Sequence, residues 1–127
     1  MYSSLYSYSG FYQIEHFKDD IMIQDLNDKT LSTIYKNPSI LLCYAPWCIH
    51  CVQFKPVFLE LAKVCKQELI PVEFYQLDAT EWPMSANQFD ITGYPTIFFI
   101  SKNQIISYSG NRTIPLLQKW IKTVLLK

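Results

Sequence analysis

The chain has 127 residues, half of them apolar, and balances 11 basic against 11 acidic side chains to a formal net charge of zero. That length and apolar share suffice for one domain with its own hydrophobic core and call for no second. The scattered, balanced charge lacks the electrostatic footprint of a nucleic-acid binder, and no apolar run approaches the roughly 18 to 20 residues of a membrane span, so neither nucleic acid nor membrane is an expected partner.

Residues 1–20 are rich in tyrosine and serine, show no sustained period, and read as an N-terminal extension. Tyr2, Tyr6, Tyr8, Phe11, Tyr12 and Phe17 stand ready to cover the domain or to dock on a partner. The start has neither a basic n-region nor an apolar h-region, and no retention tetrapeptide closes the chain. These features predict an intracellular protein, with the cytoplasm favoured over the endoplasmic reticulum or a viral particle. Residues 21–127 form the expected domain.

Its elements follow in order. "DIMIQ" predicts a short strand, "LNDKTLSTIYK" a helix opened near Asn27 or Asp28, and "SILLCYA" a buried strand. From Cys48 onward, Phe54, Val57, Phe58, Leu61, Ala62 and Cys65 recur at helical spacing, with Lys55, Glu60, Lys63 and Lys66 on the other side. Pro56 lies inside this helix, removes one backbone donor and predicts a kink. "PVEFYQLDA" predicts a strand, "PMSANQF" a short helix, "PTIFFIS" and "QIISY" a hairpin, and "TIPLLQKWIKTVLL" a closing helix with Pro115 in its first turn. Strands alternating with helices and ending in a hairpin predict an α/β fold, a mixed central sheet flanked by helices on both faces.

Cys48 and Cys51 carry the chemistry. At i and i+3 in a helix's first turn their Cβ atoms lie about 5–6 Å apart, close to what a disulfide requires. Unpaired N–H groups and the macrodipole at the helix start favour an anion there, so Cys48 should ionise below the ~8.5 of a free thiol. His50 adds a donor and, when protonated, a cation that stabilises the reduced form and makes the disulfide more oxidising. A zinc half-site is the competing reading, but a closed zinc site needs four ligands and no second ligand pair exists within the chain. Neither a metal nor a cofactor is expected. Cys43 and Cys65 fall on apolar positions and read as small buried hydrophobes. His16 has no partner at ligand spacing, and Asp78 and Glu81 read as capping residues for the short helix.

In combination, "YAPWCIHC", Pro56, "LDAT", "GYPT" and "YSGNRT" resemble the thioredoxin superfamily, with the catalytic domains of protein disulfide isomerases most similar, over roughly residues 20–127. The resemblance implies that Cys48 is the exposed nucleophile and Cys51 the resolving thiol. It implies that Tyr94-Pro95 is a cis peptide whose backbone faces the sulfurs and pairs with an extended substrate, that Trp47 is a platform beside the active-site loop, and that Arg112 swings toward the resolving cysteine. Two departures stand out: Leu42 replaces a buried acid that relays the resolving thiol's proton, and Gln76 replaces the lysine that pairs with it. Ile49 stands where glycine or proline is usual and puts an apolar side chain at the substrate rim.

The expected function is thiol–disulfide exchange on cysteine-containing protein substrates, with glutathione or another oxidoreductase as electron partner. Isomerase-like sites lie about 90 mV above thioredoxin-like ones, about 4 kcal/mol for two electrons, and His50 argues for the oxidising side. Disulfide formation or isomerisation is therefore expected ahead of general reduction. A non-catalytic client-binding module is the third alternative.

Overall fold

A computed structural model describes residues 22–102 and 104–127. The extension assigned to residues 1–20, His16 within it, and the first residues of the strand expected from Asp20 lie outside the described residues. The elements are β1 (Ile23–Asp25), a 3-10 turn (Leu31–Tyr35), β2 (Ser39–Tyr44), α1 (Ile49–Gln67), β3 (Glu73–Asp78), α2 (Pro83–Ala86), β4 (Thr96–Ser101), β5 (Gln104–Ser107) and α3 (Ile114–Leu125).

The sheet has five strands in the order β1-β3-β2-β4-β5. β1 and β2 both pair parallel to β3, while β4 runs antiparallel to β2 and to β5. Parallel neighbours require a crossover, and α1 supplies it between β2 and β3. All six residues of β2 are buried, as a central strand covered on both faces demands. One face, with Ile40, Leu42, Phe74, Ile97 and Phe99, packs on α1 and α3; the other, with Leu41, Cys43, Tyr75, Leu77, Phe98 and Ile100, packs on Leu31, Ile34 and Phe89. Under α1, the Phe54, Phe58 and Phe74 rings meet at centroid separations of 5.8 and 5.4 Å. Such contacts add about 0.5–1.5 kcal/mol each beyond burial, and the one between Phe58 and Phe74 joins α1 to β3.

The helix expected over residues 26–36 is corrected to a five-residue 3-10 turn at Leu31–Tyr35. Asn27 Oδ1 accepts the backbone N–H groups of Lys29 and Thr30 at 2.8 and 3.0 Å, closing a local turn that competes with an α-helical start. Only Leu31 and Ile34 are buried there, a spacing of three that suits the tighter helix. Asn37 precedes Pro38, whose ring disfavours continued helix. The short helix is also briefer than expected, ending at Ala86, with 3-10 bonds carrying the chain on to Phe89.

α1 runs unbroken for 19 residues with Pro56 inside it. It ends in a Schellman turn: Ile70 N–H donates to Cys65 O at 2.9 Å and Leu69 N–H to Lys66 O at 3.1 Å. Leu69 takes the left-handed position at φ 58°, where glycine is usual. α3 carries Pro115 in its first turn and buries Leu117, Ile121 and Val124 against the sheet.

Candidate active site

Cys48 is the N-cap of α1, with φ −82° and ψ 120°, and its own side chain makes no cap hydrogen bond. The His50 and Cys51 N–H groups of the first turn nevertheless lie close enough to the sulfur to favour its anion. The Cys48 thiol is held below its ordinary range, first by the Cys51 thiol as hydrogen-bond donor, then by the backbone N–H of Cys51, the N–H of His50 and the positive charge of Arg112, against a desolvation that raises it. Cys51, at 1% exposure, is shifted the opposite way. Burial is the largest cause, and the hydrogen bond and charge of Cys48 add to it; the Ala45 N–H and Arg112 oppose it. The pair is thus one half-buried, acidic outer thiol and one buried, reluctant inner thiol, both free.

The His50 backbone N–H also favours the Cys48 anion, while the His50 side chain, the donor expected from the sequence, is exposed. Across the cleft, Cys48 Sγ donates to Tyr94 O at 3.6 Å, and the Tyr94–Pro95 peptide is cis. Trp47 is 73% exposed and stands edge-on to the Tyr94 ring, centroids 6.1 Å apart. Ile49, next to the outer sulfur, is 61% exposed.

Arg112 arrives from the loop before α3, its guanidinium carbon 6.0 Å from the centroid of the Phe54 ring. Phe54 is buried three residues after Cys51, so the aromatic face that receives the cation belongs to the helix that carries the thiols. The loop is shaped by Gly110 at φ +150°, where an added Cβ would stand 3.0 Å from the Tyr108 hydroxyl oxygen. That hydroxyl donates to Asn111 O.

Leu42 is fully buried and shares a core layer with Cys51. Two residues on, Tyr44 receives the Lys55 ammonium over its ring at 3.8 Å. Helical periodicity put Lys55 on the solvated side of α1 and missed this contact. The spacing of four from Cys51 was the available signal, but only the register of β2 beneath the helix brings the ring to it. Cys43 and Cys65 are buried, and burial pushes their thiols up to about 12 and about 11. Asp78 Oδ1 accepts from the Thr80 and Glu81 N–H groups at 3.0 and 3.2 Å, capping the turn before α2, whereas the Ser85 N–H within α2 donates to Asp28. Among the described residues no cluster of three metal-ligating side chains occurs. A cleft of about 640 Å³, walled by Met22, Leu69, Ile70, Val72 and Phe74, opens at the far end of α1 from the thiols.

The comparisons agree with this fold. The Thioredoxin family model matches residues 19–123. The chain is 38% identical to protein disulfide-isomerase A4 of Rattus norvegicus over 98 residues, 76% of this chain and 15% of that protein. It is 35% identical to protein disulfide-isomerase 1 of Caenorhabditis elegans over 91 residues, 71% of this chain and 19% of that one. The solution structure of the first thioredoxin domain of mouse protein disulfide-isomerase A4 superposes with a TM-score of 0.70 at 36% identity, covering 79% of this chain and 73% of that one. The fold and the thiol pair together define a thioredoxin-fold domain of the kind found in protein disulfide isomerases. The chain belongs to the thioredoxin family. It spans under a fifth of the two isomerases it matches in sequence.

Proposed function

We propose that this chain is a thiol–disulfide oxidoreductase acting on protein cysteines, favouring disulfide formation and isomerisation. The asymmetry of the pair carries the reading: the half-buried outer sulfur is lowered from its ordinary value and its buried neighbour is raised. In oxidation, a client thiolate attacks Cys48 of the Cys48–Cys51 disulfide. That bond breaks, Cys51 leaves as a thiolate that takes a proton, and a mixed disulfide with Cys48 remains. A second client thiolate then attacks the client sulfur and expels Cys48 as a thiolate, so two electrons pass from client to enzyme. In isomerisation, Cys48 opens a client disulfide, a different client thiol closes a new one, and no net electrons move. Cys51 rescues a stalled mixed disulfide by losing its proton and attacking Cys48.

The donors around Cys48 favour its thiolate, which stabilises the reduced pair and makes the disulfide the stronger oxidant. In this scheme Arg112 eases deprotonation of Cys51 from its place over Phe54, and the His50 imidazole adds a cation at the rim when protonated. Trp47, Ile49, Tyr94 and the backbone at Pro95 form the client site, with an extended segment pairing to that backbone. An electron partner in its disulfide form, oxidised glutathione or another oxidoreductase, takes the two electrons and re-oxidises the pair. Kinship with proteins named disulfide isomerases favours an oxidising compartment such as the endoplasmic reticulum lumen over the cytoplasm expected from sequence. The exposed Trp47 and Ile49 favour client binding as a second reading, without turnover.

Insulin reduction and recovery of scrambled ribonuclease, each with wild type and Cys48→Ser, test the proposal. Both activities should vanish in the variant; equal rates leave only the binding module. Equilibration with glutathione should place the pair near the isomerase value of about −180 mV, and a value near −270 mV would make it a general reductase.

A further inference from the structure

α1 carries two apolar stripes where a surface helix needs one. The inner stripe, Cys51, Phe54, Phe58, Leu61, Ala62 and Cys65, is buried in the core. The outer stripe is Ile49, Val52, Pro56 and Leu59. Ile49, Val52 and Leu59 are 61%, 53% and 39% exposed, and Pro56 is exposed as well. Steps of three, four and three at 100° per residue keep these side chains within an arc of about 80°. Among the described residues, none of the four belongs to either core layer. Exposed Gln53 and Glu60 flank the stripe, and exposed Lys63 closes its far end. Lys55, on the other flank, folds its ammonium onto Tyr44 and keeps its charge off the stripe.

We propose that this outer stripe binds the apolar residues flanking the reacting cysteine of a client polypeptide, an inference that rests on the proposed exchange at Cys48. Continuity argues for that occupant. The stripe starts at Ile49, directly beside Cys48, and Trp47 extends the apolar surface past the sulfur on the other side. A client cysteine bonded to Cys48 brings its neighbours onto this surface without further search. From Ile49 to Leu59 the stripe rises about 15 Å, the length of four to five residues of extended chain. A tripeptide thiol anchored at Cys48 cannot reach Leu59. The surface therefore selects polypeptides with branched aliphatic or aromatic residues two to five places from the cysteine, the pattern an incompletely folded chain exposes.

The test uses two fluorescent ten-residue peptides with serine in place of the central cysteine. One is flanked by Leu, Val and Phe, the other by Asn, Gln and Ser. Anisotropy titrations with the full chain should show the apolar peptide binding about tenfold tighter than the polar one. Val52→Gln combined with Leu59→Gln should abolish that difference, with the thermal midpoint held because both sites are exposed and glutamine is a good helix former. Undiminished affinity for the apolar peptide in the double variant overturns the proposal. So does equal binding of both peptides to wild type, including the case in which the stripe instead mediates a concentration-dependent dimer that the double variant dissolves. No thiol takes part, so loss of the peptide preference fails this inference alone, while absent turnover with intact binding fails only the enzymatic reading.

Discussion

Leu42 on β2 and Gln76 on β3 are register partners, and the Gln76 amide donates to Asp25 Oδ1 at 2.6 Å, away from the wholly buried Leu42. The two positions at which the sequence departs from the pattern that the resemblance implies are thus neighbours in space. Where that pattern implies a charged pair, this chain has an apolar side chain and an amide that serves the sheet edge. Replacing both members leaves no orphan charge, whereas restoring one creates it.

Leu42→Glu alone should destabilise the protein by about 3–5 kcal/mol at neutral pH. Burial raises the folded-state pKa of that carboxyl, so the loss should be small in acid and grow as pH rises through the unfolded value of about 4.3. Adding Gln76→Lys should recover most of it, as read by denaturant unfolding. In single-turnover experiments the double variant should release client from Cys48 faster than wild type; equal release rates would remove any proton-relay handicap from Leu42.

Cys51→Ala should raise the Cys48 pKa, because the Cys51 thiol is the largest of the effects holding it down. Alkylation rate against pH measures this, and Cys51→Ser, which keeps a donor, should fall between the two. In the reduced wild type, the lowered Cys48 adds stability as pH climbs from its folded value towards about 8.5. The raised Cys51 acts in the opposite sense, removing stability as pH rises from about 8.5 towards its folded value.

Cys43 and Cys65 should resist iodoacetamide at pH 8 in the native protein. With thiols at about 12 and about 11, both buried, each is ionised in about one molecule in a thousand or fewer. Mass spectrometry should find Cys48 modified first and all four cysteines modified only after denaturation. Early labelling of Cys65 would show that the α1–α3 packing opens.

Leu69→Gly should stabilise the fold by about 0.5–1 kcal/mol. Leu69 is 87% exposed, so little packing is lost, and its φ of 58° costs an L-residue what glycine avoids. A denaturant midpoint unchanged or lowered would mean that the Leu69 side chain makes a compensating contact.

Much of the fold was legible because its signals are local. The stripe from Phe54 to Cys65, the apolar run of β2 and the hairpin pair each declare themselves within a few residues, since period and burial coincide there. The helix expected over residues 26–36 failed for a local reason as well: Asn27 and Pro38 confine the backbone more tightly than the apolar spacing indicates. The outer stripe from Ile49 to Leu59 was present in the sequence but masked by the stronger inner one, and only exposure separates the two.

The sequence by itself determined the two sulfurs, their spacing of one helical turn, and the helix start that favours an anion, because these depend on covalent order and backbone geometry. Beyond what the resemblance implied, tertiary structure decided how deeply each thiol is buried, that the Tyr94 carbonyl faces Cys48 and where two cations rest. Tyr94 reaches Cys48 across 46 residues of chain. Arg112 comes to rest over Phe54 and Lys55 over Tyr44. Those relations follow from strand register and from the packing of α1 on the sheet, which act through space between segments that local periodicity treats as independent.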